Sequence, residues 1–374
     1  MRNKDLDPKI GIPLKVITAR LEHVKFNLNG LMKRVEAYAI ARQNSKDPHE
    51  CLISGDEWTY AALDCRDPIW RERMKRTSTI MGVQATGQEI PLSFINQLPC
   101  NIGEIITLGS WSLTKNIYRF EDQVIQMLVK TEYNRSIPGF LLNLPDIAIY
   151  VQTDNANLYV QNEQVVGVIF AKNTLNDRKV LFTTVYTDTG LAKTITMHFP
   201  DDDDFESTVE DCMTDFIDTF FDEKNLPDEQ EINTFMELQK KLINLILWFS
   251  QKEPDLRPLT PETTQARPKL ELIKRELRLF EANKYKPTIV GTETNKKINE
   301  AILKRDEDLK SGNYKGTKKP HPRIPHWNFY WLGKRGTKEK WVNHWIPFQI
   351  VGGVPKDKVH RTLPGNAARI LRKK

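Results

Sequence analysis

Cysteine is scarce. The 374-residue chain holds four, Cys51, Cys65, Cys100 and Cys212, and no two are closer than 14 positions. That spacing excludes a CxxC pair, a zinc ribbon and a disulfide-dense scaffold, and is read as reduced thiols in a cytoplasmic protein. Long apolar runs are missing as well. The longest, "LINLILWF" (Leu242–Phe249), has Asn244 inside it, whereas about 20 residues are needed to cross a bilayer. The opening "MRNKDLDPKIGIPLKV" has no apolar core of the signal-peptide kind. These absences predict a soluble, cytoplasmic chain with no membrane partner. The sequence also lacks a Walker loop, a GxGxxG after a strand, a GxSxG elbow and a paired-carboxylate nuclease motif. Enzymatic chemistry is therefore not the expectation, and no cofactor and no metal are assigned.

What is present is charge, unevenly spread. Residues 256–374 carry 28 Lys or Arg against 11 Asp or Glu, a net +17, while residues 1–255 carry 27 against 38, a net −11. An acidic body with a basic C-terminal third suits a partner bearing phosphates or carboxylates. The acids concentrate at residues 200–231, with 14 Asp or Glu and one lysine. Asp201–Asp204 lack the alternate-position ligands and sixth-position glycine of an EF-hand. They are read instead as acids preceding a helix N-terminus, whose buried stripe is Val209, Met213, Phe216, Ile217 and Phe220.

The predicted fold class is α+β: a mainly helical N-terminal part, an antiparallel meander sheet packed against long helices, and a C-terminal aromatic-rich hairpin. Apolar residues at three- and four-residue steps predict a helix over 14–43, and shorter helices are expected over 69–76, at "PLSFINQL" and over Trp111–Arg119. "IAIYV", "QVVGVIFA", "KVLFTTVYT" and "KTITMHF" read as strands at hairpin spacing. A long helix from about Asp228 to Gln251, ended by Pro254, supplies the central core element. "KLELIKRELRLFEANK" is read as an amphipathic helix, and about 285–321 as a mobile loop with a helix at 295–309. The predicted regions are 1–130, mainly helical; 131–255, sheet plus two core helices; and 256–374, basic, with the hairpin at 326–350.

The stretch "KKPHPRIPHWNFYWLGKRGTKEKWVNHW" (318–345) combines four tryptophans, three histidines and a run of Lys and Arg. In "HWNFYWLG", Trp327, Phe329 and Trp331 share strand parity. In "KWVNHWIPFQI", Trp341, Asn343 and Trp345 share one side, and Val342, His344 and Ile346 the other. The rings therefore build a hairpin buried against the core, and the cations decorate its tip and approach. Lys318, Lys319, Arg323, His326, Tyr330, Lys334 and Arg335 are the candidate contact residues. Trp327, Trp331, Trp341 and Trp345 are assigned to packing. The alternative is an RNA-binding protein or metal-independent RNase using His321, Arg323 and His326 as acid, base and phosphate clamp. A His-only zinc site from His321, His326 and His344 is a weaker reading.

The same residues carry a resemblance. His321-x-Arg323-x-x-His326-Trp327-x-x-Tyr330-Trp331-x-Gly333, followed by Trp345-Ile346-Pro347, resembles the C-terminal signature of a type V-A anti-CRISPR family of phages and mobile elements. "FLLNLPDIAIYVQTD" and "LILWFSQKEPDL" resemble two further anchors of that family in the same order. Two positions depart from it: Asn328 stands where a third histidine often follows the tryptophan, and Phe329 replaces a glycine. The resemblance implies an inhibitor of the type V-A CRISPR effector nuclease. It would recognise the effector's nascent N-terminal polypeptide and cause loss of its message, with ribosome or RNA as further contacts. A peptide-binding groove or sheet edge and a basic surface are compatible with that mode.

Overall fold

The computed structural model describes residues 15–21, 102–133, 137, 144–175, 178–199, 207–220, 228–259, 269–274, 276–280, 282, 285–311, 321–323, 325–332, 340–347 and 349–351. Of the long helix expected over 14–43, residues 15–21 are helical. Its remainder, and the helices expected at 69–76 and "PLSFINQL", lie outside the described residues.

Helix α1 (Ile102–Thr114) leads into strand β1 (Asn116–Phe120). The expectation of a helix through Arg119 is corrected here, and Lys115 is the reason. Its φ of 54° is a helix-ending conformation that glycine usually supplies. Its amide still bonds back to the Trp111 carbonyl, and its ammonium donates to the Ala282 carbonyl at 2.6 Å. Helix α2 (Asp122–Leu128) follows, and then strands β2 (Ala148–Gln152), β3 (Tyr159–Val160), β4 (Glu163–Leu175), β5 (Arg178–Thr187) and β6 (Ala192–His198). The antiparallel meander β4-β5-β6 stands where the alternating segments placed it.

Helix α3 (Val209–Phe220) buries Val209 and Met213. Helix α4 (Glu229–Phe249) is capped by Asp228, whose carboxylate accepts the Glu231 amide at 3.3 Å. It ends at Phe249, with Ser250 as its cap, ahead of Pro254. Lys240 on α4 ties the two helices together by pairing with Glu210 on α3 as well as with Glu237.

Beyond residue 255 the chain is more regular than its composition suggests. Strand β7 (Leu256–Pro258) is followed by β8 (Lys269–Ile273) and β9 (Glu276–Phe280), which form a hairpin where an amphipathic helix was expected. Leu270, Ile273, Leu277 and Phe280 recur at helical steps, whereas Leu270-Glu271-Leu272 and Leu277-Arg278-Leu279 alternate as strands do. Lys274, at φ 49°, supplies the turn. The segment read as a mobile loop contains β10 (Lys286–Val290) and α5 (Thr292–Ser311), so the helix expected at 295–309 is longer at both ends. Strands β11 (His321–Arg323), β12 (His326–Leu332), β13 (Lys340–Ile346) and β14 (Gln349–Val351) complete the described elements.

The main sheet runs β6-β5-β4-β2-β1-β10-β7, with β3 paired to β4. It is mixed: β1 is parallel to both β2 and β10, and the remaining pairs are antiparallel. One sheet thus draws strands from all three regions distinguished in the sequence. Alternate residues of β2 face opposite layers. Ile149 and Val151 join Phe170, Leu181 and the apolar face of α4 in the larger core, while Tyr150 meets Trp111 of α1 edge-on across the other face. Gly167 on β4 is required there, because a Cβ at that position would run into the Tyr150 phenol.

Candidate functional site

The C-terminal strands form a single ribbon. β12 pairs with β13 with Trp327 opposite Trp345, and β11 pairs with β14 in the same register. Continuing that register across the gap sets Pro325 opposite Pro347. Neither has an N–H to donate, so the ladder is split in two at this point without a slip. The aromatic hairpin expected at 326–350 is therefore the distal part of a longer ribbon that begins at His321.

The ribbon docks through its rings. Trp327 and Trp345 are 4% and 2% exposed and belong to the main core. The Trp327 indole donates to Asn244 Oδ1 at 2.7 Å, and the Trp345 indole reaches Thr131 Oγ1 at 3.5 Å. The Trp345 ring meets Trp248 edge-on at 5.5 Å, and its backbone N–H donates to Gln251 Oε1 at 3.3 Å. Asn244 completes the joint by donating from Nδ2 to the Thr131 carbonyl at 3.0 Å and to the Lys240 carbonyl at 3.2 Å. The one amide in the apolar run of α4 is thus fully paired, and it joins α4 to β12 and to the segment that follows α2.

The opposite face of the ribbon is wetter. Asn328 and His344, directly opposite each other, are exposed, and His326 and Tyr330 are half-buried. Val342 on the same face is buried. Partial desolvation by the surrounding chain holds the His344 imidazole below the ordinary histidine value, although its edge reaches solvent.

Of the candidate contact residues, His326 and Tyr330 lie together on this face of β12. Arg323 occupies the far end of β11. Lys318, Lys319, Lys334 and Arg335 lie outside the described residues. The register also bears on the alternative chemistry. His321 and Arg323 stand on β11 and His326 opens β12, in two separate two-stranded sheets that share one register. Among the described residues no group of three or more His, Cys, Asp or Glu is arranged to hold a metal ion. Nor is any described helix long and apolar enough to cross a membrane. Sequence reasoning found the rings but not their sockets: Asn244 was visible only as a polar interruption, and Thr131 and Gln251 carried no signal.

The ribbon and its socket on α4 fall within residues 118–353, which match the model of the Anti-CRISPR type V subtype A2 family, described as AcrVA2-like. The chain belongs to that family. The match spans well over half of the sequence and includes all three stretches that carried the resemblance. Among solved structures, a crystal structure of AcrVA2 aligns with a TM-score of 0.52 at 17% identity, covering 91% of this chain and 98% of that one. At that identity the likeness is one of fold. No curated protein sequence matches the chain significantly. For an AcrVA2-like chain, the aromatic signature His326-Trp327-x-x-Tyr330-Trp331 has a concrete structural meaning. Its first tryptophan is the plug that seats the ribbon, and the residues beside that tryptophan line the wetter face.

Proposed function

We propose that this AcrVA2-like protein inhibits the type V-A CRISPR effector by recognising the effector's nascent N-terminal polypeptide and promoting loss of its mRNA. Family membership over residues 118–353 is the observation that carries the reading. The ribbon supports it physically. Among the described residues no third strand pairs with β12 or β13, and the edge of such a ribbon is a template for an extended peptide. Main-chain hydrogen bonds would hold the guest, and side chains on alternate positions would choose it. His326 and Tyr330 are the contact residues on β12. Lys318, Lys319, Arg323, Lys334 and Arg335 give the same segment its positive charge and would sit against ribosomal or messenger phosphates. Recognition of this kind breaks no bond in the partner, so the protein acts as a binder.

The test is co-expression of the chain with two effector genes, one recoded synonymously over its first codons and one changed there in amino-acid sequence. Effector protein and message should both fall for the synonymous gene and persist for the altered peptide. Inhibition of a pre-formed, purified effector complex, with its expression untouched in cells, would overturn the proposal.

A further inference from the structure

Three features of the ribbon converge on one residue. First, no strand of the main sheet pairs with β12 or β13 among the described residues, so backbone ladders do not orient the ribbon on the body. Second, the Pro325–Pro347 step interrupts the ribbon's own ladder immediately before the two docking tryptophans, so the proximal strands do not enforce the direction of the distal ones. Third, both docking indoles end at the same polar node. Trp327 is bound by Asn244 Oδ1, Trp345 reaches Thr131 Oγ1, and Asn244 Nδ2 holds the Thr131 carbonyl. An apolar socket alone lets an aromatic ring slide or flip. An indole has one polar atom, so the position of its acceptor selects a single ring orientation.

We propose that Asn244 is the positioning residue of the ribbon: through the Trp327 indole it fixes the angle at which β12 and β13 leave the core, and so where their edge meets the partner peptide. The functional half of this inference rests on the peptide-recognition reading; the structural half does not. It also explains why α4 carries an amide, 0% exposed, in the middle of its apolar segment. Leucine at that position would suit the core but would leave the indole N–H without an acceptor.

The experiment uses the full chain, Asn244→Leu, Trp327→Phe, and the double variant, with hydrogen exchange and effector suppression in cells as paired readouts. Asn244→Leu leaves the Trp327 indole N–H and the Thr131 carbonyl unpaired, Trp327→Phe leaves Asn244 Oδ1 unpaired, and each should raise exchange across 326–332 and 340–346 at least tenfold. Exchange across β4 and β5 should stay as in wild type, and effector suppression should fall at least tenfold. The double variant lacks the same bond, still leaves the Thr131 carbonyl without its donor, and should lose ribbon protection and suppression as far as Asn244→Leu and no further. If Asn244→Leu unfolds the whole chain, Trp327→Phe, which keeps the ring, carries the same test. Unchanged ribbon protection in Trp327→Phe overturns the lock. A loosened ribbon with full suppression overturns its role in recognition, and a double variant that regains ribbon protection and suppression overturns the lock. Should wild type itself leave effector levels untouched, the functional reading falls and the exchange data alone decide the lock.

Discussion

Burial sets the chemistry of individual side chains here more than their type does. Asn244 is tolerated in the core because all of its polar atoms are engaged. Cys212 shows the opposite use of burial. It sits on α3 beside Asp211 and Asp215, and removal from water, with the two carboxylates adding to it, pushes its thiol up to about 12. A thiol becomes a nucleophile only as thiolate. At pH 8 the folded protein would hold on the order of one Cys212 thiolate in 10⁴, against roughly a quarter for a free cysteine of pKa about 8.5. The sign follows: unfolding lowers this pKa, so alkylation should be slow in the native state and fast once the chain is denatured. Native labelling should accelerate only as pH climbs towards 12. Mass spectrometry of the peptide containing Cys212 after iodoacetamide treatment checks this. Rapid native labelling at pH 8 would show that α3 opens readily.

At the level of elements, local geometry explains both what the sequence disclosed and what it hid. The β3–β4 turn is a two-residue connection, Gln161-Asn162, between the paired residues Val160 and Glu163, and both loop residues have positive φ, 50° and 67°. This is the hairpin turn that favours Asn and Gly. Gln161 is poorly suited to it, so Gln161→Asn should stabilise the protein by about 0.5 to 1 kcal/mol, measured as a rise in the denaturant midpoint at unchanged m-value. A fall in midpoint would mean that the glutamine side chain makes a contact worth more than the strain. The long strands β4 and β5 were legible because β-rich runs at hairpin spacing, joined by turn residues, have one reading. The five-residue strands β1 and β10 were not. The first follows directly on a helix, and the second contains Pro287, which argues against a strand anywhere its N–H would be needed. The β8–β9 hairpin was misread because Leu270, Ile273, Leu277 and Phe280 also recur at helical steps across its turn. For the ribbon, parity alone foretold that Trp327 and Trp345 would be buried. Their partners were invisible because Asn244 is 83 positions from Trp327, and Thr131 is 214 from Trp345; no local pattern encodes such pairs.

For the whole molecule, the sheet order decides what can fold alone. Charge divides the chain near residue 255, yet β1 takes its two neighbours from either side of that division, β2 before it and β10 after it. Val290 of β10 is fully buried in the same core as Val151 and Trp248. The ribbon crosses the division again, placing Trp327 and Trp345 against α4 and the segment that follows α2. A fragment ending at residue 255 would expose the parallel edge of β1 and the empty indole sockets together, an apolar surface that water does not tolerate. Residues 1–255 are therefore expected to give no cooperative thermal transition and to aggregate. Co-expression with residues 256–374 should restore a soluble complex that unfolds in one step, because the joined halves bury the same surfaces as the intact chain. Calorimetry and sedimentation on the fragment and on the complex decide the point. A fragment that unfolds cooperatively by itself would show that the acidic body is an autonomous domain and that the basic third is an appendage laid on its surface.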